Sequence, residues 1–257
     1  MRTNVIFFGN GPLADSSLGI LKKHFNIIFH AKTKDDLETV IKLKQQYPDA
    51  YGILASFGVM IHENVLDLFE PEGILNIHPS LLPKLRGPSP IETAIKNGDS
   101  NFSVSIMKLV KKMDAGPLYY QTTLQNLPLD KATIYKSLAE TGAKWLVENL
   151  EKIQKPTPQI GVPTYTKKLD KSMSTLDPTT KTADELLHEI IAFKNFPKSK
   201  FIFYNKECII LDAHTSVNPT SLSIKCKDGI YIAIDYLQPA NKKPMDVKSF
   251  LNGYKKS

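Results

Sequence analysis

Asn76 and His78 stand two residues apart in the stretch Asn76-Ile77-His78-Pro79-Ser80-Leu81-Leu82-Pro83-Lys84-Leu85-Arg86-Gly87. On a strand, that spacing turns both side chains to one face. An amide donor beside an imidazole can hold and polarise a carbonyl oxygen, and can stabilise the oxyanion formed when the carbonyl is attacked. Immediately afterwards, Pro79 and Pro83 bracket Ser80-Leu81-Leu82 and stiffen that backbone. A stiff loop with unpaired N–H and C=O groups can read the edge of a flat heterocycle. A third group, Asp114 in Lys112-Met113-Asp114-Ala115-Gly116, lies between two strand-like stretches. A carboxylate that reaches an imidazole orients it. Taken singly, a histidine at a strand end is usually structural and Asp-Ala-Gly is usually a turn. The Asn-x-His pairing shifts that balance towards chemistry.

Other candidate sites are poorer. Gly9-Asn10-Gly11-Pro12-Leu13-Ala14 fits the glycine spacing of a dinucleotide fingerprint. Such a site also needs an acid at the end of the second strand. Here the chain continues His30-Ala31-Lys32-Thr33, and the first acid, Asp35, already belongs to the next helix. A tight strand-to-helix turn is the better reading. Cys208 and Cys226 are 18 residues apart with no CxxC partner, so reduced thiols are expected and a metal site is not.

The elements that must position Asn76, His78 and Asp114 alternate. Strands are predicted at 4–9, 26–31, 51–57 and 74–78, and helices at 12–24, 35–47, 63–69 and 90–97. This order predicts an α/β fold: a doubly wound, mostly parallel, Rossmann-like sheet with helices on both faces. In such sheets ligands bind beyond the carboxyl ends of the strands, where His78 falls. Alternating stretches at 103–110 and 118–124 extend the sheet, and a long helical pattern covers 131–153. Residues 155–182 hold Pro156, Pro158, Pro163 and Pro178 among many Thr, Ser and Lys, a linker composition. An amphipathic helix follows at 183–193, then short strands at 201–204, 208–214, 222–226 and 230–237, and a last helix at about 246–254. Short strands of this kind predict a small β-barrel resembling an oligonucleotide-binding fold. The expected division is thus 1–155 for a catalytic domain, 156–182 for a linker and 183–257 for the barrel.

Charge is uneven. The chain's net +7 arises almost entirely after residue 150: residues 1–150 net +1, and residues 151–257, with 17 Lys+Arg against 11 Asp+Glu, net +6. A basic half suggests a polyanionic partner, nucleic acid ahead of membrane. No apolar run approaches the ~18 residues of a membrane span. The opening MRTNVIFFGNG shows no secretory signal pattern, so a cytoplasmic location is expected. Nothing in the sequence calls for more than a monomer.

Asn76 to Pro83, then Arg86-Gly87, Pro90-Ile91, Gly98-Asp99, Ser105-Ile106-Met107 and Met113-Asp114-Ala115-Gly116, closely resemble the folate-dependent formyltransferase family. The resemblance implies 10-formyltetrahydrofolate as the formyl donor. It assigns catalysis to Asn76, His78 and Asp114, and folate binding to Ser80, Leu81, Leu82 and Pro83. Further stretches are similar to the branch of the family that formylates charged initiator methionyl-tRNA: Arg86-Gly87-Pro88-Ser89-Pro90-Ile91, Thr164 to Leu169, Ile191-Ala192-Phe193 with Phe196-Pro197, Leu237 to Met245, and Phe250 to Tyr254. They imply an RNA partner, not DNA, held by the basic C-terminal part. That branch usually inserts a long basic, glycine-rich loop after the second strand. Here Lys32 runs almost at once into the helix at Asp35. A small amine, such as an amino-sugar nucleotide or glycinamide ribonucleotide, is the alternative acceptor.

Overall fold

The computed structural model describes residues 2–254 and divides them into two compact units, residues 2–91 with 100–167 and residues 92–99 with 168–254.

The first unit is built on a six-stranded sheet. Its strands are β1 (Asn4–Phe8), β2 (Asn26–Ala31), β3 (Tyr51–Leu54), β4 (Ile74–His78), β5 (Phe102–Lys108) and β6 (Leu118–Leu124), in the order β2-β1-β3-β4-β5-β6. The first four run parallel, and β5 and β6 are antiparallel additions at the β4 edge. Helices α1 (Pro12–His24), α2 (Asp36–Gln46) and the short α3 (Glu63–Leu66) connect the parallel strands. Helix α4 (Pro90–Lys96) precedes β5 and belongs from residue 92 on to the second unit, while α5 (Lys131–Asn149) follows β6. Val5, Ile6, Phe7 and Phe8 are all fully buried, as expected of a parallel strand covered on both faces. One layer of core gathers Ile6, Phe8, Leu37, Val40, Leu54, Phe69 and Ile74. On the sheet's other face α1 packs on α5. Gly142 lets α5 approach β4 closely, since a Cβ there would sit 2.7 Å from Ile77 Cγ2. Ile77 therefore points to α5, and by strand alternation Asn76 and His78 point the other way.

Gly9 is required by the same kind of closeness. A Cβ on it would fall 1.9 Å from Ala55 O, and its φ is 147°. Gly9 N donates to Ala31 O, and His30 Nε2 lies 2.8 Å from Gly9 O. The glycine-rich stretch is a strand-to-helix turn packed on its own chain.

The second unit holds helix α6 (Ala183–Ala192), strands β7 (Lys200–Phe203), β8 (Lys206–Ser216), β9 (Ser223–Lys225), β10 (Tyr231–Pro239) and β11 (Met245–Asp246), and helix α7 (Val247–Tyr254). A reciprocal capping box of Thr182 and Glu185 starts α6. All strand pairs are antiparallel, in the order β11-β10-β8-β7 with β9 also on β10. The sheet curls into a half-barrel, in keeping with the small barrel expected from the sequence. The described strands form an open path, with β7 and β11 as its ends. Two register shifts in β10, between Ile234 and Leu237, bend it there.

Residues 156–182, expected as a linker, are shared out instead. Residues up to 167 belong to the first unit and those from 168 to the second. Proline-rich composition is equally suited to an extended strap that pairs with loops, and this is what residues 157–167 do.

Phe250 anchors the second core. It is fully buried, stacks on Tyr254 with ring centroids 4.8 Å apart, and meets Phe203 edge-on at 6.4 Å. Phe250→Ala is expected to destabilise this unit by about 3–5 kcal/mol. Urea unfolding followed on the isolated variant checks this, as an earlier transition midpoint with the slope retained.

Candidate active site

β4 delivers Asn76 and His78 to the carboxyl end of the sheet, and both are at least 95 % buried. The loop between β5 and β6 delivers Asp114 in a left-handed turn with φ 46°, a conformation Asp tolerates better than most residues. His78 Nδ1 lies 3.6 Å from Asp114 Oδ1. That is an ion-pair distance, longer than a hydrogen bond, and such contacts shorten when substrate fills a site. On the other side of the ring, Nε2 lies 3.2 Å from Leu85 O. A carbonyl only accepts, so Nε2 carries the proton in this contact. Asp114 Oδ2 accepts a 2.7 Å bond from Gly87 N, which fixes the carboxylate.

The Asn76 side-chain amide makes no hydrogen bond among the described residues. Ser17 Oγ is the side-chain polar atom that is both enclosed and partnerless there, so the Asn76 amide touches open space. A buried amide held beside an imidazole, with its donor unspent, is the arrangement needed to receive a carbonyl oxygen.

The Ser80–Pro83 loop is more thoroughly tied down than its sequence suggests. Ser105 Oγ donates to Ser80 O at 2.6 Å and accepts from Leu82 N at 3.2 Å. Gln121 Nε2 donates to Leu82 O and Ser105 Oγ. Ser80 Oγ donates to Lys84 O, Ser80 N to His78 O and Lys84 N to Leu81 O. Most of the loop's backbone groups are therefore already paired, contrary to the expectation of a free polar edge. Leu81 is the exception. Its N–H has no partner among the described residues, and its side chain is 41 % exposed. Leu82 is buried, and the Leu82–Pro83 peptide is cis. One open N–H beside an exposed apolar side chain suits a flat heterocycle, and Leu81 is the loop residue placed to provide both.

Sequence reasoning missed the strap. Thr157 pairs with Leu118 through two backbone bonds. Thr164 Oγ1 accepts from Leu85 N, while Thr164 O accepts from Arg86 N. Thr166 N donates to Arg86 O. Gln159 Nε2 donates to Asp114 O at 2.9 Å and Gly116 O at 2.7 Å, and its Oε1 accepts from Arg86. These residues lie 39 to 80 positions from their partners, and no local periodicity marks them. The nearest signal is the resemblance at Thr164–Leu169.

Both cysteines are buried as free thiols, and burial pushes each thiol up from its ordinary value. Both belong to the second unit, whereas Asn76, His78 and Asp114 belong to the first. No helix among the described residues is long and apolar enough to cross a membrane.

Comparison with known proteins fits this geometry. Residues 14–150 match the formyl transferase model, and residues 168–255 match the formyl transferase C-terminal domain. A methionyl-tRNA formyltransferase of Dictyoglomus thermophilum is 32% identical over 91% of this chain and 81% of its own length. Among solved structures, the methionyl-tRNA formyltransferase from Clostridium thermocellum superposes with TM-score 0.65 at 16% identity, covering 93% of this chain and 99% of its own. HypX from Aquifex aeolicus, solved with tetrahydrofolic acid, does so with TM-score 0.76 at 17% identity over 100% of this chain and 48% of its own. With matches over both units, and with Asn76, His78 and Asp114 all inside the first, the chain belongs to the formyl transferase family.

Proposed function

We propose that this enzyme transfers the formyl group of 10-formyltetrahydrofolate to the free amino group of initiator methionyl-tRNA. The observation behind the choice of acceptor is that the relatives named for that reaction match across both units, including the basic C-terminal one. The donor fits the loop chemistry: Leu81 offers one free N–H and an apolar surface to a flat ring.

In this reading the neutral amine attacks the formyl carbon. The new C–N bond forms and negative charge gathers on the formyl oxygen. Asn76 and His78 Nε2–H donate to that oxygen. The long Leu85 contact is the one a substrate oxygen displaces. Asp114 sits on the other side of the imidazole and accepts the proton shed by the amine, directly or through water. That proton passes to the departing folate nitrogen as its bond to the formyl carbon breaks. Negative charge on Asp114 also keeps His78 oriented.

The second unit would hold the RNA backbone. Lys242 and Lys243 stand exposed in the turn between β10 and β11 and are candidate phosphate contacts. A second reading, transfer to a small amine, is favoured by the connection from β2 to α2. It spans four residues, 32–35, where a basic insertion would otherwise reach for an acceptor stem.

Formyl transfer to charged initiator tRNA, run beside amino-sugar nucleotides and glycinamide ribonucleotide, separates the two. The expected result is formylation of the tRNA, with binding that weakens steeply between about 50 and 200 mM salt. Transfer to a small amine alone, or tRNA affinity that is flat over that salt range, defeats the tRNA reading.

A further inference from the structure

Arg86 is a buried cation whose protein partner is neutral. It is only 7 % exposed, and its guanidinium is held through Nε and Nη2, 3.2 and 2.6 Å from Gln159 Oε1. No carboxylate pairs with it among the described residues. Burying a charge without an opposite charge is costly, so such a guanidinium usually has an anion to meet. Nη1 makes no hydrogen bond in the described structure, yet it is not among the enclosed partnerless atoms, so its edge is open.

Gln159 holds the fork, and the Arg86 backbone is pinned as well. Arg86 N donates to Thr164 O, and Arg86 O accepts from Thr166 N. The far end of the Gln159 amide is fastened to Asp114 O and Gly116 O. The next residue, Gly87, holds the Asp114 carboxylate through its N–H. A glutamate at 159 would cancel the guanidinium's charge, whereas an amide aims the fork and leaves the charge in force.

We propose that Arg86 receives a substrate oxyanion, a phosphate or carboxylate oxygen, at its open Nη1 edge, with Gln159 as the neutral strut that aims it. This rests on the formyl-transfer reading for its choice of substrates: an acceptor with a phosphodiester backbone and a donor bearing glutamate carboxylates. Arginine suits both sources, because its planar fork matches either oxyanion.

The test compares wild type, Arg86→Gln and Arg86→Lys. Steady-state constants are measured for 10-formyltetrahydrofolate and for charged tRNA, and binding of inorganic phosphate is measured directly by calorimetry. In Arg86→Gln the KM of one substrate is expected to rise at least tenfold, phosphate binding to be lost, and Arg86→Lys to recover part of both. A higher KM for tRNA, with a salt dependence shallower by about one counterion, assigns the site to a phosphodiester. A higher KM for the donor assigns it to a folate carboxylate. Unchanged KM for both substrates with phosphate binding intact, or a fall in kcat alone, overturns the proposal and leaves Arg86 as a loop anchor. Should Arg86→Gln not fold, Arg86→Lys against wild type gives the same readings. If wild type formylates no tRNA, the tRNA reading fails, while phosphate binding in wild type and its loss in the variant still decide Arg86.

Discussion

Asp114→Asn is expected to lower kcat by two to four orders of magnitude while leaving the melting temperature almost unchanged. The amide oxygen of Asn can still accept from Gly87 N, whose 2.7 Å bond holds the turn, so the loop geometry survives. What disappears, in the proposed mechanism, is the carboxylate's capacity to take a proton from the amine and to orient His78 by charge. General acid–base contributions of this kind are worth about 10²–10⁴ in rate, or roughly 3–5 kcal/mol of barrier. His78→Ala is expected to cost about 10²–10³ through loss of one oxyanion donor. Because the proposed mechanism has the two groups act on one proton and one oxygen, the double variant is expected to lose much less than the product of the single losses. Single-turnover rates of formyl transfer, with circular dichroism melts beside them, give the answer. Losses under about tenfold in both single variants would remove the pair from the mechanism.

Gly116→Ala is expected to be the most damaging single-methyl change near the site. A Cβ at this position would sit 1.8 Å from Lys108 O and 3.0 Å from Lys108 C, both backbone atoms of β5. Both lie in the peptide plane of Leu109 N, whose 2.8 Å bond to Ile74 O ties the end of β5 to β4 and would be strained by any shift. Overpacking of this severity costs on the order of 3 kcal/mol. Any relaxation also drags Asp114, two residues away and tied to the same Gln159 amide. Stability and kcat should therefore fall together. Gly19→Ala is the control. Its Cβ meets nothing within 4 Å on helix α1, so the variant should be as stable as wild type or more so by up to ~1 kcal/mol. Denaturant midpoints and formyl-transfer rates for the two variants, measured together, test this. Equal stability of the two would refute the packing argument at Gly116.

The contrast between those glycines shows where sequence reading reaches its limit. Gly9 read as a tight strand-to-helix turn, but its close approach to Ala55 O is visible only in the structure. Gly116 read as an ordinary turn residue, and its tight fit against Lys108 is a property of two strands meeting. Neither constraint has a local signature.

By itself, the sequence determined the order of strands and helices, because apolar runs and 3.6-residue periodicity are local. It also placed Asn76 and His78 on one face, since alternation on a strand needs no partner to be known. Its ordered motif from Asn76 to Gly116 was enough to indicate the family and the catalytic candidates. Tertiary structure alone decided the rest. It set Asp114 3.6 Å from His78, and it spent most of the Ser80–Pro83 backbone on Ser105 and Gln121. The second sheet was left as an open half-barrel. Tertiary structure also converted a proline-rich linker composition into a strap whose Gln159 joins Arg86 to the Asp114 turn. Composition announces only that such a segment is neither helix nor buried strand. Which partners satisfy its hydrogen bonds depends on segments 39 to 80 residues away, brought within reach by the folding of the first unit.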